Sequence, residues 1–228
     1  MADKVFYKSH KADGVFEYLN EVDALTTQKC EAKDHTHFLD IENVEKALKV
    51  NLSHMLKSLM KKRQECKASK KDFTNSLYAL DIVKLAQAHI RYIAFKFFKM
   101  GIVNDGVKCP VNIKNLTNLC MLNGLCQLSE QSACYECGYF NSSEQFSEFI
   151  TDAIKEINRQ LRPHAVSIIE SIGFTDALLP SAIGNSYGDI YETHLEWAKG
   201  SRLNKTKAGD AIPDGYMEYI MPILKGKM

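Results

Sequence analysis

The chain has 228 residues, of which 45% are hydrophobic and 25% charged, with a formal net charge of +1 from 29 basic and 28 acidic side chains. That composition belongs to a folded globular chain rather than a disordered one, and the near-neutral balance removes any general field that would draw it to nucleic acid or an anionic membrane. The opening Met1 to Lys4 is not a basic stretch followed by an apolar one, and no window reaches the ~18 apolar residues of a membrane span, so a soluble chain without a secretion signal is expected.

Residues 1–37 show no sustained periodicity and one short apolar patch at Val15, Phe16, Tyr18 and Leu19, which predicts a lead-in arm with a single helical turn. From Asp40, placed as an N-cap, Ile41, Val44, Leu48, Leu52, Met55, Leu56 and Leu59 recur at three- and four-residue steps and predict a long amphipathic helix. It ends in the charged run Lys57 to Lys71, read as a solvated helix end rather than a phosphate-binding patch. A second long helix is predicted from about Asp72 to Gly101, with Leu77, Leu80, Ile82, Leu85, Ala86, His89, Ile90, Ile93 and Phe97 facing inward. Gly101 to Asn112 reads as a connector, and a third helix follows over Ile113 to Leu128, weakened by Gly124.

After a loop from Ser129 to Asn141, Ser142 with Gln145 forms a capping-box signal for a fourth helix carrying Phe146, Phe149, Ile150, Ile154 and Ile157. Pro163 removes a backbone donor, so a kink or break near Leu161 is expected, with a continuation ending at Gly173. Short elements follow: Asp176 to Ile183, then Ile190 to Lys199 opened by a second capping-box signal, Asp189 with Glu192, and closed by Gly200. Nothing alternates with period two. The fold class is therefore all-α, an antiparallel helical bundle, organised as an arm over 1–37 and a helical domain over 38–228.

Candidate chemistry is sparse. Cys134 and Cys137 have the spacing of a metal-binding or redox pair, but no suitably placed second ligand pair or strand accompanies them, and ordinary reduced cysteines are the stronger reading. The odd total of seven cysteines argues against a disulfide framework. His35 and His37 lack a third ligand, and His89 on an apolar helix face reads as a hydrogen-bonded core histidine before a general base. No nucleophile elbow, P-loop, zinc-protease motif or dinucleotide fingerprint occurs, so neither a catalytic nor a metal site is assigned. Tyr187, Tyr191 and Trp197 cluster around a turn and a capped helix, and are the interface candidates; packing back onto their own chain is the alternative.

Several linked runs occur in order near the end: RPHAVSIIESIGFTD from Arg162 to Asp176, LLPSAIG from Leu178 to Gly184, YGDIYE from Tyr187 to Glu192, LEWAK from Leu195 to Lys199, and LNK from Leu203 to Lys205. Together they resemble the C-terminal signature of peroxisomal acyl-CoA oxidases. The segment Ser76 to Phe98, with DIVKLAQAH from Asp81 to His89, and the run GVFEYLN from Gly14 to Asn20 are similar to upstream parts of the same family domain.

The resemblance implies an enzyme that uses FAD to oxidise an acyl-CoA to a trans-2-enoyl-CoA and passes the electrons to oxygen as hydrogen peroxide, in fatty acid β-oxidation. It also implies that flavin, substrate and the catalytic Glu belong to segments preceding this one; no Glu here matches that motif, so no catalytic residue carries over. This chain alone is then expected to hold no FAD and to be inactive, packing on the flavin-binding domains or a full-length subunit as part of a homo- or heterodimer. A stand-alone helical module that modulates full-length oxidases is the alternative. Peroxisomal residence follows from the family; Gly226, Lys227 and Met228 resemble a targeting tripeptide with Gly in the usual small-residue place. The Ser129 to Asn141 loop and the turn at Gly184 to Tyr187 depart from the family pattern.

Overall fold

The computed structural model describes residues 11–104, 106–130, 136–179, 181–184, 188–201 and 215–226. Among them there is no strand, and no helix is long and apolar enough to cross a membrane. The chain divides into two compact units, Met1–Ala165 and Val166–Met228.

The first unit is a helical bundle. A tight 3-10 segment, Gly14–Glu21, runs into the short helix α1 (Val22–Thr26), and a further 3-10 turn, His35–Leu39, precedes α2 (Ile41–Glu65). The arm thus holds more structure than one turn. It is also built into the core, because Tyr18, Leu19, Val22, Leu25, Cys30, Ala32 and Phe38 are all buried. Its later part is tied to the loop before the fourth long helix: the Cys30 amide donates to the Tyr139 carbonyl at 2.8 Å, and Asn141 and Gln145 donate to the Cys30 and Ala32 carbonyls.

Asp40 caps α2 as its position predicts, its carboxylate accepting the Glu42 amide proton at 3.0 Å. The helix buries Val44, Leu48, Leu52 and Leu56 on the expected stripe and continues to Glu65, well into the charged run. A turn capped by Ser69 and a wide helical turn, Phe73–Leu77, come before α3 (Ala79–Asn104), so the regular helix starts later than predicted. The wide turn carries the Phe73 ring inward, where it packs at a tilt against Tyr78, 4.6 Å between ring centroids, and lies under the Arg63 guanidinium at 5.1 Å.

α4 (Pro110–Ser129) begins inside the expected connector, since Pro110 occupies the first turn, where its missing N–H costs nothing. The capping signal at Ser142 is realised: its hydroxyl accepts the Gln145 amide at 3.2 Å, and the Gln145 side chain accepts the Asn141 amide at 2.9 Å. A wide turn then leads into α5 (Ile150–Leu161), which buries Ile150, Ala153, Ile157 and Leu161. Neighbouring helices α2 and α3, α3 and α4, α2 and α4, and α4 and α5 pack against one another. Pro163 breaks the fourth helix as predicted, through a 3-10 turn at Arg162–His164 into α6 (Ala165–Glu170).

The inward face assigned to α3 is corrected. Ala88, Tyr92 and Phe95 are buried, whereas Leu77, Leu80, Ile90 and Phe97 are exposed. The helix is apolar nearly all round, so periodicity offers two candidate faces, and packing takes the one that carries small Ala88 and lets the Tyr92 hydroxyl reach a carboxylate. α4 fits this arrangement at Gly124, where an added Cβ would lie 2.6 Å from Val44 Cγ1 and 2.8 Å from Phe95 Cε2. The glycine that weakens α4 in isolation is therefore what lets three helices meet closely.

Among the described residues of the second unit, a 3-10 turn at Asp176–Leu178 stands where an element over Asp176 to Ile183 was expected. α7 spans Ile190–Gly200, and a wide turn at Tyr216–Ile220 leads into α8 (Met221–Leu224). The second capping box does not form: the Asp189 carboxylate accepts the Thr193 hydroxyl at 3.0 Å and makes no capping bond to the backbone.

Candidate interface and the polar groups of the core

Tyr187 lies outside the described residues, and so does Cys134. Tyr191 and Trp197 stand on α7, 85% and 50% exposed, six residues apart and hence on different sides of the helix. Tyr191 shares its side with Leu195, which is also exposed, while Trp197 meets His194 edge-on at 5.9 Å. Among the described residues from Val166 onward only Ala182 is buried, and large apolar side chains including Val166, Ile169, Phe174, Leu178 and Ile223 face outward.

The sequence-selected polar residues take structural places. His89 Nδ1 and the Tyr18 hydroxyl are 2.9 Å apart, and Phe16 stacks parallel on the imidazole at 5.0 Å, so this histidine clamps the arm to α3. Burial pushes its pKa below the ordinary histidine value and raises that of Tyr18 to about 12. His37 is held low by burial and then by Lys46. Burial pushes the Cys137 thiol up, and that of Cys120 up to about 11, the opposite of what a reactive thiolate needs. Among the described residues no three His, Cys, Asp or Glu side chains are placed to hold a metal.

A charged cluster that periodicity did not single out lies between α2 and α3. Glu45 on α2 accepts from Lys99 at 2.7 Å, from Lys49 at 3.2 Å and from the Tyr92 hydroxyl at 3.3 Å, and Lys99 also reaches Glu42 at 2.6 Å. Burial works against ionising Glu45, but the two ammonium groups outweigh it and hold the carboxyl below the usual glutamate range. A carboxylate so saturated with donors is a tie between helices rather than a proton acceptor for a substrate. The available signal was Glu45 itself, a charge three and seven residues before Leu48 and Leu52 on an apolar stripe.

A cavity of about 940 Å³ lies along α2, lined also by Asp23 of α1, by Asp81 and Lys84 near the start of α3, and by Glu136 and Cys137. Ion pairs of 3.0 Å stand on its two sides, Lys57 with Asp23 and Lys62 with Asp81. Among the described residues its lining carries no Phe, Tyr or Trp ring, and Lys57 and Lys62 are already paired with Asp23 and Asp81.

Comparison with known proteins is consistent in kind. Residues 40–225 match the acyl-CoA oxidase family. The peroxisomal acyl-coenzyme A oxidase 1 of Phascolarctos cinereus is 27% identical over 215 residues, covering 92% of this chain and 32% of that protein. An acyl-CoA oxidase from tomato superposes with a TM-score of 0.82 at 26% identity, over 94% of this chain and 32% of its own. Acyl-CoA oxidase 1 of Arabidopsis thaliana shares the fold with a TM-score of 0.84 at 21% identity, over 98% and 33%. A Caenorhabditis elegans acyl-CoA oxidase-1 complexed with FAD and ATP shares it at 0.68 and 18% identity, over 98% and 36%. The chain spans about a third of the length of each of these proteins. An all-helical bundle of this form, matched over most of its residues by that family, makes the chain a member of the acyl-CoA oxidase family.

Proposed function

We propose that this chain serves as the C-terminal helical portion of a peroxisomal, FAD-dependent acyl-CoA oxidase of fatty acid β-oxidation, supplying packing and dimer surface to catalytic domains that it does not itself contain. The observation that carries the reading is the second unit, where Ala182 alone is buried among the described residues while Tyr191, Leu195, Trp197 and many other apolar groups face outward. An exposed apolar area of that extent marks a surface made for a partner. The family match supports the identity of that partner, because relatives three times as long leave two thirds of an oxidase to cover it. The saturation of Glu45 by two lysines and a tyrosine supports placing the chemistry in the remainder.

The test is reconstitution. The purified chain is expected to hold no flavin and to make no peroxide from an acyl-CoA, and co-expression with the complementary two thirds of an acyl-CoA oxidase is expected to yield a yellow complex that does both. Failure of the two parts to associate, or flavin retained by the chain alone, overturns the reading. Association only with an intact oxidase, with a change in that enzyme's rate, favours the modulating module instead.

A further inference from the structure

The cavity along α2 holds polar groups that the fold leaves unused. His54, Ser58 and Lys61 line it at successive steps of four and three residues, so they stand in one row on the helix, roughly 10 Å from first to last along its axis. His54 is half-buried, yet among the described residues neither its imidazole nor the Ser58 hydroxyl has a hydrogen-bond partner. Lys61 has only a 4.0 Å contact with Glu65, and both of those side chains are exposed.

The field along this row is positive. Burial first, and then Lys57 and Lys29, hold the His54 imidazole below the ordinary histidine value. Asp23 and Asp81 are each tied to a lysine at 3.0 Å, which leaves Lys61 and, across the cavity on α3, Lys84 to set the local charge, with Glu136 the remaining carboxylate of the lining. Beside the row, Met55 and Leu59 stand one turn apart and add an apolar shoulder, whose thioether adapts to the shape of a flexible chain. A volume of about 940 Å³ suits a small molecule held by apolar contact and oriented by a few polar groups.

The two parts of the lining select one kind of occupant. A cation meets the lysines, a neutral apolar molecule leaves His54, Ser58 and Lys61 without acceptors, and an inorganic anion leaves Met55 and Leu59 wet. We propose that this cavity binds an anionic amphiphile, a molecule with a carboxylate or phosphate head and an apolar tail, with the head received by His54, Ser58 and Lys61 and the tail laid on Met55 and Leu59. The inference does not depend on the proposed function, because every group it uses lies in the first unit.

Titration of the full chain with decanoate and with decyl phosphate, each below its micelle concentration, tests this by calorimetry and by NMR of the His54 ring. Decyltrimethylammonium and inorganic phosphate are titrated in parallel. The expected result is saturable binding of the decyl anions that shifts the His54 resonances, at least tenfold tighter than either control. Ser58→Glu with Lys61→Glu lowers the affinity at least tenfold with Tm and far-UV circular dichroism unchanged, because both positions are exposed. His54→Gln lowers it several-fold. Preference for decanoate identifies a carboxylate as the natural head and preference for decyl phosphate a phosphate ester, and either supports the inference. Binding of the decyl cation or of inorganic phosphate as tight as that of the decyl anions, still His54 resonances, or affinity that survives Ser58→Glu with Lys61→Glu overturns it.

Discussion

Replacing Gly124 with Ala separates helix propensity from packing. In an isolated helix the change is favourable by about 1 kcal/mol. Here the new Cβ would sit 2.6 Å from Val44 Cγ1 and 2.8 Å from Phe95 Cε2, closer than carbon atoms approach. Neither neighbour yields easily: Val44 and Phe95 are buried, and a β-branched valine has few rotamers to offer. Overpacking costs about 1–3 kcal/mol, and contacts this short against rigid neighbours put the cost in the upper part of that range, so after the propensity gain the net expectation is destabilisation by about 1–2 kcal/mol, a fall in Tm of roughly 2–8 °C for a chain of this size. Thermal unfolding followed by far-UV circular dichroism measures it. Val44→Ala provides the control, since it makes a cavity alone but room for the new methyl in combination; the double variant should be more stable than the two single losses added together, by about 1 kcal/mol. A Gly124→Ala chain as stable as the parent, or strictly additive losses, would refute the close-approach argument.

Lys99→Met leaves buried Glu45 with Lys49 and Tyr92 alone, and a loss of about 2–3 kcal/mol is expected by denaturant unfolding, partly recovered when Glu45→Gln is added; equal stability of Lys99→Met and parent would show that the cluster contributes nothing. Because the Glu45 pKa is depressed in the folded state, its contribution is present above about pH 4.3 and is lost as the pH falls through the lowered value, so Glu45→Gln should flatten the Tm profile below that point. His37, His54 and His89 are all held low by burial first, so the unfolded chain takes up their protons earlier on acidification; stability is full above about pH 6.5 and declines as the pH falls through the folded values, and His89→Gln should reduce the slope of Tm against pH there. Tyr191→Ala and Trp197→Ala should each move the stability of the purified chain by less than about 0.5 kcal/mol, while weakening co-purification with an oxidase subunit tenfold or more if they anchor that contact.

Much of the bundle is legible from residue spacing. The Asp40 cap, the stripe Val44, Leu48, Leu52 and Leu56, the Ser142 cap and the break at Pro163 all concern backbone groups within a few residues of one another, and those local demands are met in the same way wherever the chain packs. The family resemblance drawn from the runs between Arg162 and Lys205 belongs equally to the sequence, and those runs lie within residues 40–225, which match the acyl-CoA oxidase family.

Other features depend on which surfaces meet. α3 is apolar on two sides, and only contact with α2 and α4 decides that Ala88, Tyr92 and Phe95 go inward while Leu80, Ile90 and Phe97 stay out. The arm reads as a lead-in until Tyr18 meets His89 and Cys30 meets Tyr139, contacts across 71 and 109 residues that no local period encodes. Gly124 looks like a flaw in a helix until Val44 and Phe95 are brought against it, and Glu45 looks like a solvated charge until Lys99, 54 residues away, closes on it. Local sequence thus determined the caps at Asp40 and Ser142 and the break at Pro163, because backbone hydrogen bonding there is settled within a turn. Facing, close approach and charge pairing were decided by tertiary structure, because each depends on atoms contributed by distant parts of the chain.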